Sequence, residues 1–381
     1  MVGWTMRETG SARVEIRGHK EVRAAAKDFT RFSSDVVGDR DVRDYQQLPL
    51  ELDPPRHTLF REAVQPIFMS SAIEPKVPQF RALARDLIGR INANGGGEIC
   101  GEFALPYVIG CLTIIFDRPQ DYDEWLSWGP DVWTADAWAS GQVTAASKRA
   151  HRERRFDQPT QRSGNTLHAY LTRVFDDAER APVEDPERQD IWDRIAQLVV
   201  DGRQLSRPEM FGIGSVLMAG GRDTVIKLAT GLVWHLIRSS DDRRYLAGNA
   251  AAFNRTVAEL ARFLSPLPKM ERVVQASGDQ QRNVVLSFVS ANHDATVWER
   301  PERIDIHRER KPHLAFGAGR HSCLGMNITE LEMHALLEVL VGEWPEWEFD
   351  GEPDIDWARE GAGADTITVL ERFNAIPVIR R

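Results

Sequence analysis

Cys323 stands in a ten-residue stretch, Phe316-Gly317-Ala318-Gly319-Arg320-His321-Ser322-Cys323-Leu324-Gly325, and a helix-forming run over residues 326–341 follows at once. Backbone N–H groups at a helix start favour negative charge, and a cysteine placed there ionises more readily. The three glycines let the backbone turn sharply and come close to something flat. A lone cysteine is ordinarily a small buried apolar side chain, but this setting suits a thiolate. A second chemical pair is Asp223-Thr224, an acid and a hydroxyl directly after Gly220-Gly221-Arg222. Together an acid linked to solvent and a hydroxyl form a path for protons. His57 and Arg61 are spaced i and i+4, so they share one helix face. Such a pair is ordinarily a solvated basic face, but the planar fork of arginine also suits a carboxylate.

These residues need elements to hold them. The Asp223-Thr224 pair lies inside a helical pattern over residues 206–238, which starts at Ser206 with Pro208 and Glu209. Thirty-three residues at about 1.5 Å each span roughly 50 Å. Two glycines in its middle cost about 1 kcal/mol each against alanine, which marks a deliberate weak point, with Gly220 and Thr224 one turn apart. Pro54 and Pro55 are well placed to start the helix of His57 and Arg61. Further helical patterns cover 20–26, 77–92, 103–116, 167–178, 191–199 and 254–265, and alternation marks strands at 14–16, 270–274 and 283–287. Short strands also fit the tail from residue 350. The whole reads as one domain over 1–381, mainly α, with a minor β region at 10–20, 270–290 and 350–381.

Composition narrows the class. The chain has 381 residues, 42% hydrophobic content and a net charge of -9, which suits a large core and argues against wholesale nucleic-acid binding. Three cysteines without framework spacing fit a reducing compartment. No apolar run has the length of a membrane span, and the polar N-terminus lacks a signal-peptide core, so a cytoplasmic protein with no membrane contact is expected. Residues 122–140 carry Trp125, Trp128, Trp133 and Trp138, out of 11 tryptophans in all. They fit a core or an aromatic wall over a ligand. The basic run at 148–155 reads as a solvated loop, with a guiding patch for a polar substrate as the lesser reading.

The loop around Cys323 resembles the cysteine-ligand loop of the cytochromes P-450, haem-thiolate monooxygenases with the pattern F-x-x-G-x-x-x-C-x-G. All four fixed positions are present, as Phe316, Gly319, Cys323 and Gly325. Gly220 to Thr224 resembles the family's oxygen-activation motif, and Asp53-Pro54-Pro55 with His57 and Arg61 its propionate-binding segment. The resemblance runs from about Asp53 to the end and implies the family's fold, with haem b (iron protoporphyrin IX) between a long distal helix and the Cys323 loop. It implies Cys323 as the iron ligand and Phe316 packed near it. His57, Arg61, Arg272 and His321 are implied to pair with the propionates, Gly220 to leave room for O2, and Asp223 and Thr224 to deliver protons. Glu259 and Arg262, with Arg303, are implied to form a structural network. His293 replaces the arginine of the family's A-N-R-D turn.

The implied reaction is insertion of one oxygen atom into a C–H bond of a small molecule, as hydroxylation or oxidative O-demethylation. The four tryptophans favour a flat ring or a sugar. Electrons are expected from a separate ferredoxin or flavodoxin with its NAD(P)H-dependent reductase. Arg56, Arg61, Arg308, Arg310, Lys311 and Arg320 are offered as the docking cations. A peroxide-driven hydroxylase is disfavoured by the acid–hydroxyl pair, and a non-catalytic haem sensor would not need it.

Overall fold

In the computed structural model, which describes residues 7–9, 13–35, 45–128, 161–275 and 281–381, the alternation at Val14 to Ile16 becomes the strand Arg13–Ile16. It pairs antiparallel with Arg7–Thr9 and parallel with Gln281–Ser287, whose other edge carries Lys269–Gln275 antiparallel. The parallel register sets Val14 opposite Val284 and Ile16 opposite Leu286. All four side chains enter one core with Val22, Ala25, Phe32, Phe288 and Leu314. Burial of such side chains stabilises by roughly 1.5–3 kcal/mol each.

Contacts divide the chain into two compact units. The first comprises Met1–Ser34, Ser70–Val108 and Thr224–Arg381. It holds this four-stranded sheet and the helices His19–Lys27, Val77–Ala93, Phe253–Leu264 and Met326–Gly342. Its small three-stranded sheet joins Gly96–Glu98, Pro377–Arg380 and Trp347–Phe349. A hairpin of Asp354–Glu360 and Ile367–Ala375 carries register shifts near Leu370 and Phe373. Lys227 Nζ donates to the Leu370 carbonyl at 2.9 Å, beside the first shift.

The second unit comprises Asp35–Met69 and Ile109–Asp223. Its helices include Arg56–Val64, Tyr122–Ser127, Gln161–Arg180, Ile191–Ala196 and Arg207–Gly220. Aromatic rings organise the interior: Tyr170 meets Trp125, Trp128 and Trp192 edge-on at centroid distances of 5.8, 5.4 and 5.7 Å. Its hydroxyl donates to Asp121 at 2.6 Å and accepts from Trp192 Nε1 at 2.9 Å. Arg118 completes the network with two bonds to Asp121 (2.7 and 3.0 Å) and one to Asp190 (2.8 Å). Burial and the neighbouring Asp121 carboxylate push the Tyr170 phenol far up, so it stays a neutral donor.

The helical pattern over 206–238 resolves into two helices rather than one. Arg207–Gly220 begins with a capping box between Ser206 and Glu209 and ends at the glycines; Asp223–Arg238 starts two residues later. Arg203 and the Ser206 backbone hold the Glu209 carboxyl down at about 2. The pattern over 191–199 is likewise cut short, because Val199–Val200 leaves the helix and pairs with Arg203–Gln204. Trp133, Trp138 and the basic run at 148–155 lie outside the described residues. No helix of the described residues is long and apolar enough to cross a membrane.

Candidate functional site

The Cys323 loop is built by hydrogen bonds and glycine. Gly317 and Gly319 take φ values of 68° and 75°, conformations that favour glycine. Cys323 N–H donates to the Phe316 carbonyl at 2.8 Å, which closes the loop on itself. A Cβ on Gly319 would meet the Ala26 carbonyl oxygen at 3.0 Å and Lys27 Cα at 3.1 Å, so the loop lies directly on the end of helix His19–Lys27. Met326–Gly342 begins three residues after Cys323, with Gly325 as its N-cap. The Cys323 thiol is exposed, whereas Phe316 and Leu324 are partly buried.

The same unit holds His321, in this loop, and Arg272, whose Nη1 donates to the Glu271 carbonyl at 2.7 Å. His321 Nε2 and the Ser34 hydroxyl lie 2.9 Å apart. One residue earlier, Ser33 exchanges backbone hydrogen bonds with Val273, both at 2.9 Å. Arg272 precedes Val273 in strand Lys269–Gln275 and is 4% exposed. Two adjacent serines therefore link the imidazole of the loop to the strand that carries the guanidinium. Neither serine stands out in the sequence, because the Ser34–His321 contact joins positions 287 apart.

In the second unit, His57 and Arg61 sit one turn apart on helix Arg56–Val64, with His57 buried and Arg61 partly buried. Gly220 is exposed at the end of its helix, and a Cβ there would meet nothing within 4 Å. Asp223 and Thr224 are the first two residues of helix Asp223–Arg238. Because two non-helical residues intervene, Gly220 and Thr224 do not share one continuous helix face as the i, i+4 spacing implied. Arg222, in the break, is fully buried.

Two expectations from the sequence are corrected, and the core reading of the tryptophans holds for Trp125 and Trp128. Arg303 is not the third member of the Glu259–Arg262 network: its side chain is 68% exposed and lies 3.7 Å from Glu302. Arg308 takes the place, with Nε 3.1 Å from both Glu259 oxygens. The chain turns at Asp305, whose N–H donates to Glu259 Oε1 at 3.0 Å, and this brings in the later arginine. Arg308 is thereby engaged inward and is not a free docking cation, whereas Lys311 stays exposed with its Nζ donating to the Val297 carbonyl. Trp125 and Trp128 are core residues, 0% and 3% exposed, packed edge-on against Tyr170 rather than forming an open wall.

His293 occupies the arginine position of the A-N-R-D turn as a neutral group. Burial, with Arg262 and Lys227 nearby, pushes its imidazole down to about 4. Its Nδ1 lies 3.0 Å from the Val289 carbonyl.

Sequence comparison places this geometry. The cytochrome P-450 family profile matches residues 277–355, which include the Cys323 loop. A steroid C26-monooxygenase of Mycobacterium tuberculosis (strain CDC 1551 / Oshkosh) is 27% identical over 317 residues, covering 80% of each chain. Cyclomarin C epoxidase of Salinispora arenicola is 28% identical over 353 residues, covering 88% of this chain and 84% of the epoxidase. Among solved structures, a carbohydrate-active P-450 superposes with a TM-score of 0.79 at 26% identity, over 98% of this chain and 93% of that one. These matches support a cytochrome P-450 of bacterial type.

A P-450 of this bacterial type is a monooxygenase that binds haem b through a cysteine thiolate. The residues present fit such a group. Haem b needs one thiolate on an accessible loop and cations for two carboxylates, which cannot be buried alone. Cys100 and Cys111 do not suit the first requirement. Burial and the neighbouring Glu98 carboxylate push the Cys100 thiol far up, and Cys111 is 0% exposed. Cys323 is exposed in a glycine loop at a helix start, and Ser33 and Ser34 link His321 of that loop to the strand that carries Arg272.

Proposed function

We propose that Cys323 is the iron ligand of this P-450 and that its substrate is a small polar ring compound, an O-methylated sugar or aromatic. Phe316 packs beside the thiolate, and the loop backbone tunes its donor strength. Arg272, His321, His57 and Arg61 are the residues assigned to pair with the propionates. Arginine suits this role because its fork stays charged and matches a carboxylate. Gly220 leaves space for O2. When bound, haem b supplies the activation of dioxygen, so that one oxygen atom enters a C–H bond.

Asp223 and Thr224 carry the protons. A hydroxyl must reach the oxygen and an acid must reach solvent, and adjacent positions at the start of one helix supply both. On a methoxy carbon the reaction consumes O2, two electrons and two protons. One oxygen atom forms the hydroxylated methyl, a hemiacetal, and the other leaves as water. The hemiacetal C–O bond then breaks to release formaldehyde and the free hydroxyl. The electrons come from a separate carrier, a ferredoxin or flavodoxin with its NAD(P)H-dependent reductase.

The observation that supports a polar substrate is the likeness to the carbohydrate-active P-450, at 26% identity over almost the whole chain. The described tryptophans no longer carry it. The test titrates the ferric protein with 3-O-methylglucose, a methoxylated benzoate, a steroid and a monoterpene. Saturable spin-state shifts with the methoxy compounds, and formaldehyde on turnover, are expected. A shift with only the hydrocarbons would remove the polar-substrate reading.

A further inference from the structure

Arg222 fills the variable position of the Gly-Gly-x-Asp-Thr segment, and nothing in the reading above uses it. It is 0% exposed, which is rare for an arginine. A buried guanidinium needs compensating charge and hydrogen-bond acceptors. Both are present within the second unit: Nη1 lies 3.6 Å from Asp223 Oδ1, and Nη2 donates to the Trp125 carbonyl at 3.3 Å. Trp125 belongs to helix Tyr122–Ser127 and is locked among Phe116, Trp128 and Tyr170. The guanidinium thus bridges a rigid aromatic core and the acid. Asp223 is also the first residue of a sixteen-residue helix, where the helix dipole favours a carboxylate.

We propose that Arg222 is a positioning residue: anchored by its bond to the Trp125 carbonyl, it holds Asp223 ionised and fixes the position of its carboxylate. Other charges along these elements have their own engagements. Asp121 is held by Arg118, Glu124 by Arg173, and Lys227 donates to Leu370, while Asp123 is exposed to solvent. This refines the proton-delivery role assigned to Asp223 and rests on that reading for its catalytic meaning. Between proton transfers the acid returns to its anionic form, so each proton is drawn from solvent rather than stored.

The test follows the Asp223 carboxyl itself. The chain is labelled with aspartate enriched in carbon-13 at the side-chain carboxyl and studied in the diamagnetic ferrous carbonyl form. The Asp223 resonance is assigned by its loss in Asp223→Asn. In Arg222→Leu its titration midpoint is expected to rise by about one to three pH units, and Arg222→Lys should restore most of the shift. If Arg222→Leu does not fold, Arg222→Gln is read the same way, because it keeps a donor for the Trp125 carbonyl without the charge. An unchanged midpoint in the neutral variant would overturn the proposal. Failure to form the ferrous carbonyl complex would instead overturn the haem-site reading, and the same titration on the isolated chain would still decide the role of Arg222.

Discussion

Arg308 Nε lies 3.1 Å from each carboxylate oxygen of Glu259, which also accepts from Arg262 Nε and Nη2 at 2.8 Å. Arg262 reaches further, to the carbonyls of Asn292, Pro301 and Arg303. The three charged side chains therefore gather the segment that precedes the cysteine loop. Removing one member of a buried charge network costs about 3–5 kcal/mol, so Arg308→Leu should lower unfolding stability by that order. Arg303→Leu should cost less than about 1 kcal/mol, as an exposed pair does. Urea unfolding of both variants distinguishes them; the reverse order would restore Arg303 to the network.

Cys323→Ala should abolish the red-shifted Soret band of the reduced carbonyl complex. Cys100→Ala should leave it in place, because the Cys100 thiol is partly buried beside Glu98 and stays protonated. The paired spectra identify the ligand directly, and a retained band in Cys323→Ala would reject it.

Thr224→Ala removes the hydroxyl of the acid–hydroxyl pair and leaves the start of its helix intact. Product formation should fall by roughly 100-fold, while NAD(P)H oxidation continues and peroxide accumulates. Peroxide yield per NAD(P)H is the measurement, and fully coupled turnover would exclude Thr224 from proton delivery.

Haem retention should depend on Arg272 and on His321. Arg272→Leu takes away a buried guanidinium and should give a low haem-to-protein ratio after purification. Ser34→Ala should act more mildly, because it removes only the hydrogen bond to His321. A single such bond is worth about 0.5–1.5 kcal/mol, or roughly 2- to 10-fold in haem affinity. Haem transfer to an excess of scavenger protein would rank the two, and equal rates in Ser34→Ala and the parent protein would show that the serine does not support the imidazole.

Glu332 gives the protein a pH-dependent stability. It lies on the helix Met326–Gly342, 3% exposed, and burial pushes its carboxyl up from 4.5 to about 8. An acid with a raised folded-state value binds its proton more tightly folded than unfolded, so stability falls as pH rises from about 4.5 towards 8. The slope is at most roughly 1.4 kcal/mol per pH unit. Glu332→Gln should flatten this window and make the protein more stable than its parent at pH 8. Denaturant melts at pH 5, 6.5 and 8 would reveal it; parallel curves for the two proteins would assign the slope elsewhere.

What was legible in the sequence follows from how local each feature is. The Cys323 loop declares itself because Gly317 and Gly319 must adopt left-handed φ within a few residues of the thiol. The helix break shows because Gly220 and Gly221 are adjacent and each is costly inside a helix, although its completeness does not, since propensity measures cost and not where a helix restarts. Arg308 was missed because its approach to Glu259 depends on an irregular turn at Asp305, and no periodicity governs spacing in such a segment. Arg222 carries no signal of its own in the sequence, and only its burial reveals a role. The tryptophans were ambiguous because indoles suit both a core and a ligand wall. The position of Tyr170 decides the matter for Trp125 and Trp128.

The parallel pairing of Arg13–Ile16 with Gln281–Ser287 bears on how the molecule is made. During synthesis the ribosome must deliver residue 286 before Ile16 has its partner. For most of translation the early strand emerges with that edge unsatisfied, and Ser34 waits longer still for His321. Contacts of such sequence separation form slowly and leave strand edges exposed to neighbouring chains. The Cys323 loop thus gains its contact with Ser34 only after the 287-residue separation between Ser34 and His321 has been synthesised.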